Sequence, residues 1–307
     1  MELNHSIFVS IVMPVYNRED TLKASIQSVL DQTYRSFEFI IVDDASTDQS
    51  AAVIQSFNDK RIKYIAHSEN LGGSEARNTG VNNARGEWIA FQDSDDLWSR
   101  EKLEKQIKVA VENIEQSPII YTSFVRIKSG EEEIIPKKDE RKKSGNIHKE
   151  LMLGNFISTQ TVLLPKKYLE SVGGFSADMP RFQDWELWLR ISEKFPFLWV
   201  DESLVQVYYT EGSISSDHRK IVIAYEKILS MHRSLFEKAG PKYLGSFLFS
   251  YGHNLCLAGD CKWGRSILLQ SFKYNKSMKS ILSIIVSTVG ARFYTKIYKV
   301  MTKGRFL

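Results

Sequence analysis

The sequence predicts an α/β fold, a mostly parallel sheet flanked by helices, with a helical extension at the C-terminal end. Three observations predict it. Short runs of β-branched and apolar residues alternate with segments of helical period through the first 127 residues. Those runs are apolar throughout, which marks strands covered on both faces. Beyond about His218 only helical patterns remain. With 307 residues, 43% of them hydrophobic and 25% charged, the chain can build a core without disulfide staples. The same figures exclude collagen-like, coiled-coil and wholly disordered chains.

Taken in order, Ile7–Met13 is a β-branched run closed by Pro14, a buried strand ending in a loop. Leu22, Ile26, Val29 and Leu30 give Thr21–Leu30 a helical period. Phe37–Val42 is the second strand, and Ser46-Thr47-Asp48 offers an N-cap for a helix over Ala51–Phe57. Ile62–Ala66 is the third strand. Gly72-Gly73 leads into a helix over Gly73–Ala84, and Trp88–Phe91 is the fourth strand. Leu103–Ile114 reads as a helix and Ile119–Ile127 as a fifth strand. From Lys128 to Lys149 charge is dense, which predicts a mobile loop or irregular hairpin, with Glu131-Glu132-Glu133 and Arg141-Lys142-Lys143 as solvated runs. Thr161–Leu164 is a strand bounded by Pro165, Gly173-Gly174 a turn and Asp184–Glu193 a helix; Trp199-Val200 and Leu204–Tyr209 are short strands. Helices follow over Ile221–Phe236, Tyr243–Leu257, Trp263–Phe272 and Ile281–Met301. The expected domains are 1–216, with halves at about 1–127 and 128–216, and a basic helical region over 217–307.

The formal net charge of +4 hides an asymmetry. From Cys261 onward there are ten Lys and Arg and no acid, which leaves 31 of the 41 basic groups against all 37 acids in the rest of the chain, a net of −6. A basic tail on an acidic body suits an anionic surface. An anionic membrane surface is one partner for it; a helical subdomain whose lysines are simply solvated is the alternative. No nucleic-acid-binding module accompanies the tail, so no nucleic-acid partner is expected. Cys256 and Cys261 lack companions for a zinc site and read as reduced thiols. Met1–Ser10 has no basic stretch leading into a long apolar run, and the apolar stretch Ile281–Val289 is too short to span a bilayer. The expected location is cytoplasmic, extended to the inner membrane face if the tail binds there.

In parallel sheets ligands bind beyond the carboxyl ends of the strands. That rule selects the loops after Met13, Val42 and Phe91. After Phe91 comes Gln92-Asp93-Ser94-Asp95-Asp96, three carboxylates in four positions. Like charges this close repel unless a cation neutralises them, and hard oxygens suit Mg²⁺ or Mn²⁺. A solvated turn capping the next helix is the plainer reading. After Val42 comes Asp43-Asp44, placed to bond a nucleobase or ribose, with helix capping as the alternative. After Met13 come Pro14, Val15 and Tyr16, an exposed turn with an aromatic face. Gly72-Gly73 allows close approach to a ligand, and Arg77 on the following helix can neutralise an anion. Asp184 stands among Phe182, Trp185 and Trp188, whose bulk reduces its hydration and suits it to general-base work, with an acid that complements a helix dipole as the alternative.

The order and spacing of these pieces resemble glycosyltransferase family 2, the inverting enzymes of GT-A fold that use nucleotide sugars. The resemblance runs from about Val9 to Ser216. It rests on Val12-Met13-Pro14-Val15-Tyr16-Asn17, Val42-Asp43-Asp44-Ala45-Ser46-Thr47-Asp48, Asn70-Leu71-Gly72 through Arg77-Asn78, Asp93-Ser94-Asp95, Gly173-Gly174-Phe175 and Gln183-Asp184-Trp185-Glu186. It implies transfer from a UDP-sugar donor to a saccharide or glycoconjugate acceptor, in surface polysaccharide synthesis, with Mn²⁺ or Mg²⁺ as cofactor. Pro14, Val15, Tyr16, Asp44, Arg77 and Asp93 resemble the nucleotide-binding residues. Asp95 resembles the metal ligand and Asp184 the catalytic base. Asp96, Gly173, Gly174 and Trp185 resemble the acceptor and sugar site. Transfer to a polyprenyl phosphate, or a non-catalytic nucleotide-sugar-binding subunit of a membrane complex, are the alternatives. The Pro-Val-Tyr-Asn turn disfavours a dinucleotide oxidoreductase, which needs Gly-x-Gly-x-x-Gly there. One departure stands out. Many relatives carry Arg-x-His before Gly-Ser-x-Ser, whereas Tyr208-Tyr209-Thr210-Glu211 precede Gly212-Ser213-Ile214-Ser215 here, with His218 further on.

Overall fold

The first strand, β1 (Val9–Val15), is buried along nearly its whole length, as a β-branched run covered on both faces must be. The structure is a computed structural model that describes residues 7–128, 130–137, 142–208 and 218–301. After β1 come α1 (Leu22–Leu30), β2 (Phe37–Asp43), α2 (Ser50–Gln55), β3 (Ile62–Ala66), α3 (Gly73–Asn82) and β4 (Trp88–Phe91). Next are β5 (Leu97–Trp98), α4 (Lys102–Glu112), β6 (Ile119–Lys128), β7 (Glu131–Ile135) and α5 (His148–Leu151). A 3-10 turn over Thr159–Thr161 precedes β8 (Val162–Pro165), α6 (Lys166–Val172), α7 (Gln183–Ser192) and β9 (Phe197–Tyr208). The remaining helices are α8 (His218–Ala239), α9 (Pro241–Leu257), α10 (Cys261–Tyr274), α11 (Met278–Ser287) and α12 (Ala291–Met301).

The chain divides into two compact units. The first holds Met1–His148, Phe156–Ala177 and Gln183–Thr210; the second holds Lys149–Asn155, Asp178–Phe182 and Glu211–Leu307. In the first unit the sheet order is β3-β2-β1-β4-β8-β6-β9-β5, with β7 paired to β6. Strands β1 to β4 are parallel, as their apolar runs predict. β6 does not continue that parallel set, because β8 lies between it and β4, antiparallel to both. Alternate residues of β1 and β2, such as Ile11, Met13, Phe39 and Ile41, pack with Leu22 and Ile26 of α1 and Leu103 of α4. This core holds the carboxyl ends of β1, β2 and β4 side by side.

β6 and β7 pair as an antiparallel hairpin; on it Glu131 and Glu132 are exposed and Glu133 is ion-paired with Arg126. Three local expectations are corrected. Lys143 is buried with its ammonium 4.8 Å from the Trp199 ring centre, and Arg141 lies outside the described residues. The two short strands after Trp199 are one strand, β9, whose pairing with β6 shifts register around Ser123. In the second unit, α9 and α10 approach closely where Gly252 faces Gly264; a Cβ on Gly264 would stand 2.6 Å from Cys256 Sγ. Cys256 and Cys261 are free and buried there. The helix expected over Ile281–Met301 is two helices, broken at Gly290, whose φ of +111° is left-handed backbone. Among the described residues no helix is long and apolar enough to cross a membrane.

Candidate active site

The site is built on the loops after β1, β2 and β4. The first two form one hydrogen-bonded ledge. Asp44 N–H donates to the Val15 carbonyl (2.8 Å), Asn17 N–H to Ser46 Oγ (3.0 Å) and Thr47 N–H to Asn17 Oδ1 (2.8 Å). Asn17 and Ala45 take left-handed backbone, with φ of +50° and +60°. Pro14 and Val15 end the strand and leave the Tyr16 ring exposed. Asp43 accepts from Ser46 N–H and from the Tyr64 hydroxyl, which fixes the turn. Asp44 is buried and accepts from the N–H groups of Leu71 (2.9 Å) and Gly72 (2.7 Å). His67 Nδ1 lies 2.7 Å from the same carboxylate, and its Nε2 3.0 Å from Thr79 Oγ1. Asp44 therefore anchors the loop that leads into α3.

The loop after β4 is pinned to α1 and its N-terminal cap through its backbone. Thr21 Oγ1 donates to the Ser94 carbonyl, and Ser25 Oγ to that of Asp96. The three carboxylates diverge from this fixed backbone. Asp93 takes Arg77 at 2.6 Å, and Asp95 takes Arg18 at 3.5 Å. Asp96 turns inward and is 2% exposed. Its oxygens accept from the Gln160 amide and, at 3.1 Å, from Tyr208 N–H. Burial, then the negative charge of Asp93, holds the Asp95 carboxyl above the usual carboxylate range. Burial and the charges of Asp93 and Asp95 push Asp96 well above it. Three carboxylates thus crowd one strand end, and Arg77 and Arg18 pair with two of them. Among the described residues no group of three or more His, Cys, Asp or Glu could hold a metal unaided. Two carboxylates fit a hard divalent cation that takes its other ligands from water and phosphate oxygens. Arg77 Nε is also buried with no partner among the described residues.

The acceptor-side residues are carried by α3, α6 and α7. Gly173 and Gly174, both left-handed with φ of +79° and +71°, close α6. A Cβ on Gly174 would stand 2.6 Å from Asn78 Oδ1. Asn78 accepts from Phe175 N–H and donates to its carbonyl, each at 2.9 Å, so α3 grips the loop next to Arg77. The Arg77 guanidinium lies 5.6 Å from the Phe175 ring centre, so one arginine touches both Asp93 and the Gly-Gly-Phe loop. From the other side Arg190 donates to the carbonyls of Val172 and Gly174. The same guanidinium makes a bidentate pair with Glu186, which is fully buried and also accepts from Ser176 Oγ. Asp184 stands in the first turn of α7, where its carboxylate accepts from Trp185 N–H at 2.7 Å; the Trp185 ring is buried.

Arg18, His67, Gln160 and Arg190 pair with the site's acids, and the sequence pattern does not single them out. Arg190 carries a legible signal, since it follows Glu186 by four positions on one helix face. The others meet partners far away in sequence, across intervening helices and strands. Tyr208 ends β9; residues 209–217 lie outside the described residues, and His218 opens α8.

A family model, Glycosyl transferase family 2, matches residues 10–173, just over half of the chain. The chain belongs to glycosyl transferase family 2. An Escherichia coli member, the UDP-Glc:alpha-D-GlcNAc-diphosphoundecaprenol beta-1,3-glucosyltransferase WfgD, is 37% identical over 183 residues, 60% of this chain and 69% of WfgD. For two Rickettsia relatives the matched part is about a third of their own length. The S. aureus TarS structure in complex with UDP-GlcNAc aligns with a TM-score of 0.62 at 16% identity, covering 98% of this chain and 93% of that one. The mannosyltransferase PcManGT from Pyrobaculum calidifontis, with GDP-Man and Mn²⁺, aligns at 0.56 and 14% identity over 95% and 87%. These likenesses show the fold, which is the family's GT-A arrangement with a C-terminal helical region.

Proposed function

We propose that the chain is an inverting glycosyltransferase that moves a sugar from a UDP-sugar to a hydroxyl of a saccharide carried on a polyprenyl diphosphate, at the cytoplasmic membrane face. The observation that carries it is the charge at the end of β4. Asp93 and Asp95 crowd one turn, paired with Arg77 and Arg18, and offer hard oxygens to a cation that shares its ligands with phosphate. The acceptor class is supported by the relative named for a diphosphoundecaprenol-linked acceptor.

In this reading the ledge of Pro14, Val15 and Tyr16, with Asp44 and Arg77, receives the nucleoside. Asp95, with Asp93, would hold Mn²⁺ or Mg²⁺. Bound there, such a cation supplies Lewis-acid stabilisation of the charge that gathers on the leaving diphosphate. Asp184 takes the proton of the acceptor hydroxyl as its oxygen forms the new bond to the anomeric carbon. The bond from that carbon to the diphosphate breaks, and UDP leaves with the electron pair. Gly173, Gly174 and Trp185 shape the acceptor side. Asp96, tied to Gln160 and Tyr208, steadies the loop that carries Asp93 and Asp95 from beneath.

A donor screen by UDP release, with Mn²⁺ or Mg²⁺ and with or without EDTA, tests this. Release that needs both cation and acceptor is expected. EDTA-insensitive transfer would overturn the cation assignment. UDP binding without transfer from any donor would favour a non-catalytic binding subunit.

A further inference from the structure

Among the described residues, sixteen large apolar side chains are exposed, and nine of them lie between Cys261 and Met301. Six form a near-continuous row: Met278, Ile281, Leu282 and Ile285 on α11, then Val289 and Phe293. The first four are spaced three, one and three residues apart, so they share one face of the helix. That helix buries Ser280, Val286 and Ser287 and leaves a second, apolar face outside. Met278 is 78% exposed and Ile285 58%, whereas Ser280 and Ser287 are each 2% exposed. The buried serines are satisfied locally: Ser280 N–H and hydroxyl pair with Ser277 Oγ, and the Ser287 hydroxyl donates to the Ile284 carbonyl. The exposed row therefore follows from the folded helix itself. A contiguous apolar surface of this kind marks an interaction site.

The charge around it selects the occupant. Lys276, Lys279, Arg292 and Lys296 are exposed beside the row, and no acid occurs from Cys261 onward. A second copy docking through the same face would bring the same positive charge to the interface, where no acid of that face pairs it. An anionic bilayer brings phosphates at headgroup depth and hydrocarbon just beneath, which matches lysines flanking an apolar stripe. We propose that α11 and the start of α12 form a membrane-contact surface that lies in the plane of an anionic bilayer. Met278, Ile281, Leu282, Ile285, Val289 and Phe293 enter the acyl boundary. This extends the reading of a lipid-carried acceptor, but lipid binding is measured without donor or acceptor, so either conclusion can fail alone.

The test is flotation of the full chain with vesicles of phosphatidylcholine alone and of phosphatidylcholine with phosphatidylglycerol. The chain should float with the anionic vesicles and stay at the bottom with the neutral ones. Raising salt should weaken the binding, since exposed charges are screened. Leu282→Glu with Ile285→Glu should lower bound protein by about tenfold or more, with an unchanged thermal midpoint. The gentler pair Met278→Ser with Ile285→Ser should lower it in the same direction. Equal flotation of wild type and both variants, or none by wild type, would overturn the proposal. So would a wild-type dimer in light scattering that the Glu variant dissociates, which would make the face a protein interface.

Discussion

Two acid-bearing regions of the catalytic unit handle charge in opposite ways. At the end of β4, Asp93, Asp95 and Asp96 crowd one turn, and burial with mutual repulsion lifts Asp95 and Asp96 above the usual carboxylate range. At the start of α7, Asp184 and Glu186 are two residues apart and are separated by role. Glu186 is fully buried yet completely engaged by Arg190 and Ser176. Asp184 stands in the first helical turn, where it accepts from the Trp185 N–H. The first region holds repulsion that a bound cation would relieve. The second ties Glu186 into the packing and, in the proposed reading, uses Asp184 as the base. In that reading the fold and the reaction both need acids, but not the same ones.

Substitutions can break that contrast. The largest effect is expected from Asp184→Asn. Transfer should fall by about 10²–10⁴-fold, while cation-dependent UDP binding by calorimetry stays intact. Loss within about tenfold would point to an acceptor that is already an anion, such as a polyprenyl phosphate. Arg190→Ala should cost about 3–5 kcal/mol of unfolding free energy in urea, because it strands the buried Glu186 charge. Gly174→Ala should cost about 1–3 kcal/mol by the same measurement, since the left-handed turn is strained by a Cβ that also meets Asn78. The smallest effect sharpens the comparison by its sign. Asp95→Asn should stabilise the cation-free protein by about 0.5–2 kcal/mol at neutral pH, because it removes a buried repelling charge. Asp95 has a raised folded-state pKa, so the wild-type carboxylate takes up its proton as pH falls towards the acidic range. The variant's advantage should shrink over that descent. Thermal melts across pH check this, and added Mn²⁺ should stabilise wild type more than the variant.

Much of the first region was legible in the sequence. An apolar run that ends in acids fixes both the strand and the position of its loop, so Asp93 and Asp95 were placed by pattern alone. β8 was read as a strand, but a four-residue run with no alternation carries no direction, and its insertion between β4 and β6 was invisible. Gln160 reaches Asp96 across 64 residues, and His67 meets Asp44 across 23, contacts that no local period encodes. The exposed apolar face of α11 is hidden for a different reason. Its sequence shows an apolar run, and only the packing of Ser280 and Ser287 reveals which face is outside.

The division of labour between the two acid regions has a stereochemical consequence. In the proposed reading, one base on the acceptor side and a diphosphate leaving near Asp93 and Asp95 imply a single displacement at the anomeric carbon. Proton NMR of the disaccharide product from an α-configured UDP-sugar measures this directly. The account predicts a β-linked product, with the anomeric configuration inverted. An α-linked product, with retention, would contradict it.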